Sequence, residues 1–390
     1  MGMQQELTTF FIQKNGRWTI MKIVYPQTEH GIVNRAENTL FSYQGWPTVA
    51  RDENGILYVA ASGFRLGHVC PFGKTVMYVS KTNGKTWTPP IVINDNYVDD
   101  RDGGLLYTQD GHLVLTWFTL EADYLRNDTR TWLNPESEKA AIAANNGMVA
   151  AYGYLPEEKL KAGSYVRVSE DYGVTWSKTV RMPISAPHGP NRCRDGSLIY
   201  LGLEYCSDGE LAPKAVALYK SFDSGYSWEK ISVVTPPDWL VDKEFLDEPH
   251  VIELPDGRLF GAFRIEGRKP FTIGTTVSED GGKTWSDVVC TGVSGSPPHL
   301  MMHSSGALIC SYGRREAPYG ERAIVSYDFG KTWSEEYILD ESYSGDLGYP
   351  STVELDDGSL ITVYYQRYND DKKCSILYTK WCLGEKQSDK

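Results

Sequence analysis

The sequence predicts an all-β chain, a six-bladed β-propeller of four-stranded antiparallel blades closed by an N-terminal strand, with a partly helical insertion in the second blade. Three observations carry this. A glycine followed by a strand-like run recurs six times, at Gly55-ILYVAA, Gly111-HLVLTWF, Gly196-SLIYLGL, Gly257-RLFGAF, Gly306-ALICSY and Gly358-SLITVYY. An element of the form Ser-x-Asp-x-Gly-x-Ser/Thr-Trp occurs at Ser169 to Trp176, Ser221 to Trp228, Ser278 to Trp285 and Ser326 to Trp333, with a fifth copy, Ser80 to Trp87, in which Thr82 stands for the Asp. The composition, with 37 glycines, 25 tyrosines and 11 tryptophans, suits short strands joined by tight turns.

Each Ser-x-Asp element follows a short apolar run (TVMYV, SYVRV, AVALYK, IGTTV, RAIV) and holds a turn-forming Asp/Asn-x-Gly, the pattern of a hairpin between two strands. Nine residues before the six glycines stand Trp46, Asp102, Pro187, Glu248, Pro297 and Tyr349, without a slip. One supersecondary unit used six times, about 50 residues apart and burying its faces only against its neighbours, is a propeller. The sixth unit ends at ILYTKW without a box, so the strand-like segment Arg17 to Pro26 is expected to complete the last blade. Residues 119–163 break the pattern with helix formers and form the insertion, a length typical of functional covers or ordered subdomains. No linker or low-complexity tract divides residues 1–390, which read as one domain.

A formal charge of −12 removes the attraction on which nucleic-acid or anionic-membrane binding depends. The start lacks the basic and continuous apolar stretches of a secretory signal, so the chain is expected in the cytoplasm, or outside it if a leader has been removed. Seven cysteines without a CxxC pair, Cys70, Cys193, Cys206, Cys290, Cys310, Cys374 and Cys382, argue for reduced, mostly buried thiols, and neither metal nor cofactor is expected.

In a propeller the innermost strand of each blade starts near the central channel, so the six residues preceding the glycines form a ring around the axis. That ring holds Trp46, Asp102, Glu248 and Tyr349; Gly45, Arg101, Asp247 and Gly348 come one position earlier, and His188, His250 and His299 one or two later. So many ionisable groups facing one another exceed what a structural axis requires, and the channel is the candidate site.

The Ser-x-Asp-x-Gly-x-Thr-Trp element is the Asp-box, and five copies in a six-unit chain resemble the sialidase (neuraminidase) superfamily. The resemblance implies that the boxes lie at the outer edge of the blades, where Ser and Asp satisfy turn backbone and Trp packs between blades. In Asp247-Glu-Pro-His-Val-Ile-Glu-Leu-Pro-Asp-Gly-Arg-Leu-Phe-Gly-Ala-Phe-Arg264 the Glu and Arg are sixteen apart, as in the superfamily. Glu248 then looks like the catalytic glutamate and Arg264 like one of three arginines that bind a substrate carboxylate. Tyr349 matches the tyrosine nucleophile, with Pro350 in place of the usual Ser. For a further arginine the candidates are Arg314 and Arg322, and the offset of Arg314 from Gly306 favours the former. The superfamily's first arginine would fall at Gly45 and is absent, as is its acid/base aspartate in the segment from Gly63 to Thr75, which offers Arg65, His68 and Lys74 instead. The next blade carries Asp99-Asp-Arg-Asp102, where Arg101 takes the offset vacated at Gly45.

The resemblance implies an exo-glycoside hydrolase that removes a terminal, acidic sugar with Tyr349 as nucleophile, Glu248 as its base and Asp102 as acid, Asp100 and His68 being the alternatives for the acid. Arg264, Arg314, Arg101, Arg65, His68, His188, His250, His299 and Arg322 are the candidate substrate contacts. A non-catalytic carbohydrate-binding propeller and a polysaccharide lyase acting on acidic sugars are the rival expectations.

Overall fold

The computed structural model describes residues 9–14, 17–128, 133–134 and 136–384. Six sheets form a ring, antiparallel except for one outer pair. Blade one contains Tyr43–Arg51, Leu57–Arg65, Lys74–Ser80 and Ile91–Asn94; blade two contains Asp100–Tyr107, Leu113–Thr119, Gly163–Ser169 and Val180–Met182. In blade three, Pro187, Gly189 and Pro190 interrupt the innermost strand, leaving Ile184–Ser185 and Asn191–Arg192 as separate pieces on Leu198–Glu204. Blade four runs from Phe245–Glu253 to Val289–Ser294, and blade five from Ser296–Met302 to Glu335–Glu341. Blade six comprises Gly348–Glu354, Leu360–Arg367, Cys374–Trp381 and a strand from the N-terminal part of the chain.

That closing strand is Thr28–Asn34, not the expected Arg17 to Pro26. Arg17–Val24 instead runs parallel to Glu335–Glu341 on the outside of blade five and carries Thr9–Lys14 beyond it, so that this sheet has six strands. Met21 and Ile23 bury their side chains there, and Lys22 pairs with Glu335 at 3.5 Å. The closing role falls to the segment with Gly31 because the Tyr378 ring of the neighbouring strand lies across it, within 2.4 Å of where a Cβ would stand. A bulkier segment meets that ring.

Each of the six seams between blades has its own apolar cluster. Val49, Val59 and Tyr78 meet Ile361, Val363 and Tyr365 between blades one and six; Ala60 and Met77 meet Leu113 and Leu115 between one and two. Val166 and Val168 meet Leu198 and Tyr200 between two and three, and Leu201 and Leu218 meet Leu259 and Phe263 between three and four. Phe260 and Ile273 meet Leu308 and Ile324 between four and five, and Ile309 and Val325 meet Leu360 and Trp381 between five and six.

The Asp-boxes close the outer hairpins and lean on these seams. Ser169 Oγ accepts from Gly173 N at 2.8 Å and donates to Asp171, which in turn accepts from the Thr175 backbone and hydroxyl. The same set recurs at Ser221, Ser278 and Ser326. In the variant box Thr82 Oγ1 replaces the carboxylate and accepts from Thr86 N at 2.8 Å. Trp176, Trp228, Trp285 and Trp333 each pack into the seam with the preceding blade.

The insertion in blade two contains helices α1 (Ala122–Asp128) and α2 (Lys139–Ala151). Leu125, Tyr152 and Leu160 pack on Val69 and Val98, while Leu133 and Ala141 pack on Leu66 and Cys70. It is therefore a buttress behind the loop that follows Arg65.

Two expectations follow. Truncation before Pro26 removes only the outer strands of blade five and should leave a soluble, cooperatively melting ring, whereas truncation through Asn34 bares the edge of Cys374–Trp381 and should aggregate in size-exclusion chromatography. At Gly330, φ is +81° and a Cβ would lie 2.2 Å from the Phe260 ring, so Gly330→Ala should cost roughly 2–4 kcal/mol in a denaturant melt. Gly306→Ala, at φ +86° in open space, should cost only about 1 kcal/mol.

Candidate active site

The innermost strands carry a bulge where they begin. Pairing in blade two jumps from Arg101↔Phe118 to Gly104↔Thr116, in blade four from Asp247↔Arg264 to His250↔Ala262, and in blade six from Gly348↔Tyr365 to Ser351↔Val363. Blade one slips in the same way between Gly45 and Thr48. The first residue of each bulge is left-handed: φ is 56° at Trp46, 49° at Asp102, 43° at Glu248 and 52° at Tyr349. Left-handed backbone costs a side-chain-bearing residue about 1–2 kcal/mol, and four such residues at one end of the channel mark strain concentrated where side chains are re-aimed.

Glu248, Tyr349 and Arg264 meet there. The Tyr349 hydroxyl donates to Glu248 Oε1, and Arg264 Nη1 donates to Glu248 Oε2 at 2.9 Å. The second terminal nitrogen of Arg264 pairs with Glu266, and Phe271 lies under the guanidinium at 4.1 Å. Little of the site is open: the Glu248 and Arg264 side chains retain 14% and 12% of their surfaces. Burial, then the charges of Glu248 and Asp102, hold the Tyr349 hydroxyl well above its ordinary value against Arg264 and Arg315, so the phenol is neutral.

Asp102 is buried and its Oδ1 has no hydrogen-bond partner. Burial pushes its carboxyl up to about 7, Arg101 opposing and Glu248 reinforcing. Asp247 is likewise pushed up to about 7 by burial and by Glu248. Asp100 shares this value through burial but accepts from Asn94 and from the backbone and side chain of Asn96, so its carboxylate is occupied outside the ring.

Arg65 and Arg101 brace the site. Arg65, with no exposed surface, grips Asp99 through both terminal nitrogens at 2.5 and 2.8 Å, and both arginines donate to the His68 carbonyl. Their guanidinium carbons sit over the Trp46 ring at 4.7 and 4.0 Å. This holds the His68 loop in place. His68 Nδ1 and the Tyr43 hydroxyl both meet Asp346 Oδ1 at 3.0 Å. Burial works to raise Asp346, yet its hydrogen bonds with His68 and Tyr43 keep it at about 2. Lys74 turns outward to Asp95.

The arginine expected at 314 requires correction. Arg314 ends its strand opposite Gly320, and no contact among the described residues joins it to Glu248 or Tyr349. Arg322 is tied to the Glu321 and Asp340 carbonyls at 3.0 and 2.7 Å. The arginine whose charge reaches Tyr349, Tyr365, Arg264 and Glu248 is Arg315, one residue beyond the strand, with its Nε 3.5 Å from the Gly345 carbonyl. Arg314 stands eight residues after Gly306, against seven for Arg264 after Gly257, so the offset that favoured it was near but not equal, while Arg315 at nine shares the position of Glu266.

The three histidines stand beneath the site. His188 lies 6.4 Å from the Tyr349 ring and 5.0 Å from His299, which stacks on His250 at 4.6 Å. His299 Nδ1 accepts from Thr352 N, and His188 Nδ1 meets Thr48 Oγ1. Burial drives His250 down to about 3 and the other two well below their ordinary value, so the trio is neutral. On their far side a cavity of about 360 Å³ opens at the other end of the axis.

Sequence reasoning missed Arg315, Asp346 and Glu266. Their offsets nonetheless repeat: Arg315 and Glu266 each stand nine residues after the glycine of their blade, and Asp346 stands twelve before Gly358 as Asp99 does before Gly111. Those shared offsets were an available signal, as was proximity in the chain, Asp346 to Tyr349 and Glu266 to Arg264.

A family model described as a BNR repeat-like domain matches residues 142–362. Xyloglucanase Xgh74A of Acetivibrio thermocellus is 26% identical over 263 residues, covering 60% of this chain and 30% of that protein. The chain thus spans less than a third of the length of that relative. Among solved structures, a protein of unknown function from Dyadobacter fermentans superposes with a TM-score of 0.71 at 22% identity, over 91% of this chain and 98% of that one. NanB sialidase of Streptococcus pneumoniae superposes at 0.67 and 14% identity, over 90% and 70%. At these identities the likeness is one of fold.

A carboxyl raised from 3.8 to about 7 on folding holds its proton in the fold while the unfolded chain has lost it, so its contribution to stability falls as pH rises through that interval. Asp102→Asn, which sacrifices no bond at Oδ1, should therefore melt above the wild type at about pH 8 and lose that advantage near pH 4, as read by differential scanning calorimetry.

Proposed function

The chain belongs to the family of BNR repeat-like domains, and on that premise we propose that it is a sialidase-type exo-glycoside hydrolase that removes a terminal acidic sugar with retention at the anomeric carbon. The observation that carries this reading is the Tyr349 hydroxyl donating to Glu248 beside the Arg264 guanidinium. A phenol held neutral can approach an anomeric centre that bears a carboxylate, whereas a carboxylate nucleophile would be repelled.

In the first step the Tyr349 oxygen bonds to the anomeric carbon and its proton passes to Glu248. The glycosidic C–O bond breaks, and the departing oxygen takes a proton from Asp102. In the second step Asp102 accepts a proton from water, the water oxygen bonds to the anomeric carbon, and Tyr349 leaves with its proton returned by Glu248. Two inversions give retention. A carboxyl near 7 suits Asp102 to donate and then accept. Arg264 is largely committed to Glu248 and Glu266, so Arg315 takes the larger share of the substrate carboxylate. Arg65 and Arg101 act through Trp46 and the His68 loop, as positioning residues.

The test is turnover of aryl sialosides, neutral aryl glycosides and acidic polysaccharide by one preparation, with unsaturated-product absorbance followed in parallel. Release of the aryl group from the acidic glycoside is expected; elimination without hydrolysis, or silence on every substrate, would reject the reading. Tyr349→Phe should lose on the order of 10³-fold or more in kcat with KM nearly unchanged. Asp102→Asn should cost on the order of 10²–10⁴-fold on poor leaving groups and far less on activated aryl glycosides. Arg315→Lys should raise KM for acidic substrates, since lysine lacks the planar fork.

A further inference from the structure

The outer part of the seam between blades one and two holds a cleft of about 260 Å³, to which the insertion contributes Lys159 and Lys161. We propose that this cleft is a second carbohydrate site, separate from the Tyr349 site, and that it takes a carboxylated pyranose.

The side chains of its floor leave one face of one sheet. Tyr165 and Arg167 are two positions apart on Gly163–Ser169, and Trp117 stands opposite Tyr165 on Leu113–Thr119, so all three point from blade two toward blade one. Trp117 and Tyr165 stack at 5.4 Å with 29° between their planes. The Tyr165 ring leans back along its strand over Gly163, where a Cβ would lie 2.2 Å from the phenol oxygen. Tyr165 is half-buried with one face on Trp117, so the rest of its ring, together with a hydroxyl that no described residue bonds, borders the cleft. Across the gap the connection from blade one brings Tyr97, which is 48% exposed. A flat ring braced by a second ring is a platform for the C–H face of a pyranose.

Charge selects an acidic one. The chain carries −12 overall, yet Lys159, Lys161 and Arg167 line this cleft against Glu158 as the one carboxylate in its walls. None of the three cations forms an ion pair among the described residues. Arg167 is aimed by neutral partners: its Nε donates to Thr179 Oγ1 at 3.2 Å and its Nη1 to the Ile93 carbonyl at 3.3 Å, with the Trp117 ring 5.7 Å from its guanidinium carbon. Its charge is therefore fixed and uncompensated, and Nη2 remains for a ligand oxygen. Lys159 and Lys161 are exposed and extend the same positive wall. A free anion meets these cations without using the rings, and a neutral sugar uses the rings while leaving the cations unanswered; a carboxylated pyranose satisfies both.

The insertion thus has a second task besides bracing the loop after Arg65. The proposal does not rest on the hydrolase reading, since a binding propeller would use the same cleft.

Heteronuclear NMR on the full chain with isotope-labelled lysine, its Lys159 and Lys161 amide signals assigned through Lys159→Arg and Lys161→Arg, tests it with methyl glucuronide, methyl glucoside and sodium sulfate as probes. Saturable shifts of both signals are expected with methyl glucuronide, at an affinity unchanged in Glu248→Gln and weakened about three- to tenfold in Tyr97→Ala and, read at Lys159, in Lys161→Gln. Tyr97 and Lys161 are exposed, so both variants should keep the wild-type melting temperature. No shift with methyl glucuronide, equal shifts with methyl glucoside, or an equal affinity for sulfate that survives Tyr97→Ala would overturn the site, the last marking a patch for free anions only. Aryl sialoside turnover is read on the same preparation: silence there with the lysine shifts intact rejects hydrolysis and leaves this site standing.

Discussion

Every blade of this protein hides its faces only against the next blade. The six apolar clusters lie between sheets, none within a single sheet, so no blade has a core of its own and each seam depends on its two neighbours. Closing the ring is therefore a condition for burying all of it. Thr28–Asn34 meets that condition by pairing with Cys374–Trp381, joining residues more than three hundred positions apart in the chain. The Asp-boxes contribute to the same end: a left-handed glycine and a tryptophan from each hairpin press on the preceding blade.

The stiffness of the ring makes the strain at its axis tolerable. Left-handed residues in four blades would relax in a looser scaffold, but each is flanked by strands locked into two seams. Their common consequence is electrostatic. Asp102, Glu248 and Tyr349 are brought within one another's influence in a volume with little access for water, where Asp102 and Asp247 keep their protons to an unusual pH and the phenol remains neutral. Positive charge enters in graded form. Arg65 is fully spent on Asp99 and the oxygens around it, Arg264 is shared between two carboxylates, and Arg315 is the least engaged.

The strongest repeats in the sequence were legible, and the weaker ones were overlooked. The nine-residue spacing to the glycines found the ring positions because the same strand, bulge and turn recur in successive blades. The box residues were readable for the same reason. Misreadings arose where the repeat ends. Arg17–Val24 has the alternation of a strand and is one, but alternation does not name a partner, and a glycine in Thr28–Asn34 made the true closing strand look weak. Arg314 was chosen because its offset from Gly306 is close to that of Arg264 from Gly257, whereas Arg315 lies one residue past the pairing. Asp346 stands three residues before Tyr349, as Asp99 does before Asp102, but its part in holding His68 depends on a contact 278 residues distant in sequence.

The three stacked histidines give the axis a floor. Propeller axes are commonly open at both ends, but here His188, His250 and His299 stand between Tyr349 and the opposite mouth as an uncharged stopper. Whatever occupies the site stands in a blind well with a single doorway. Entry and departure then share one route, so a molecule that has not yet left bars the next from entering. On the proposed reading a long chain is engaged only by its tip, because there is no far side through which to thread it.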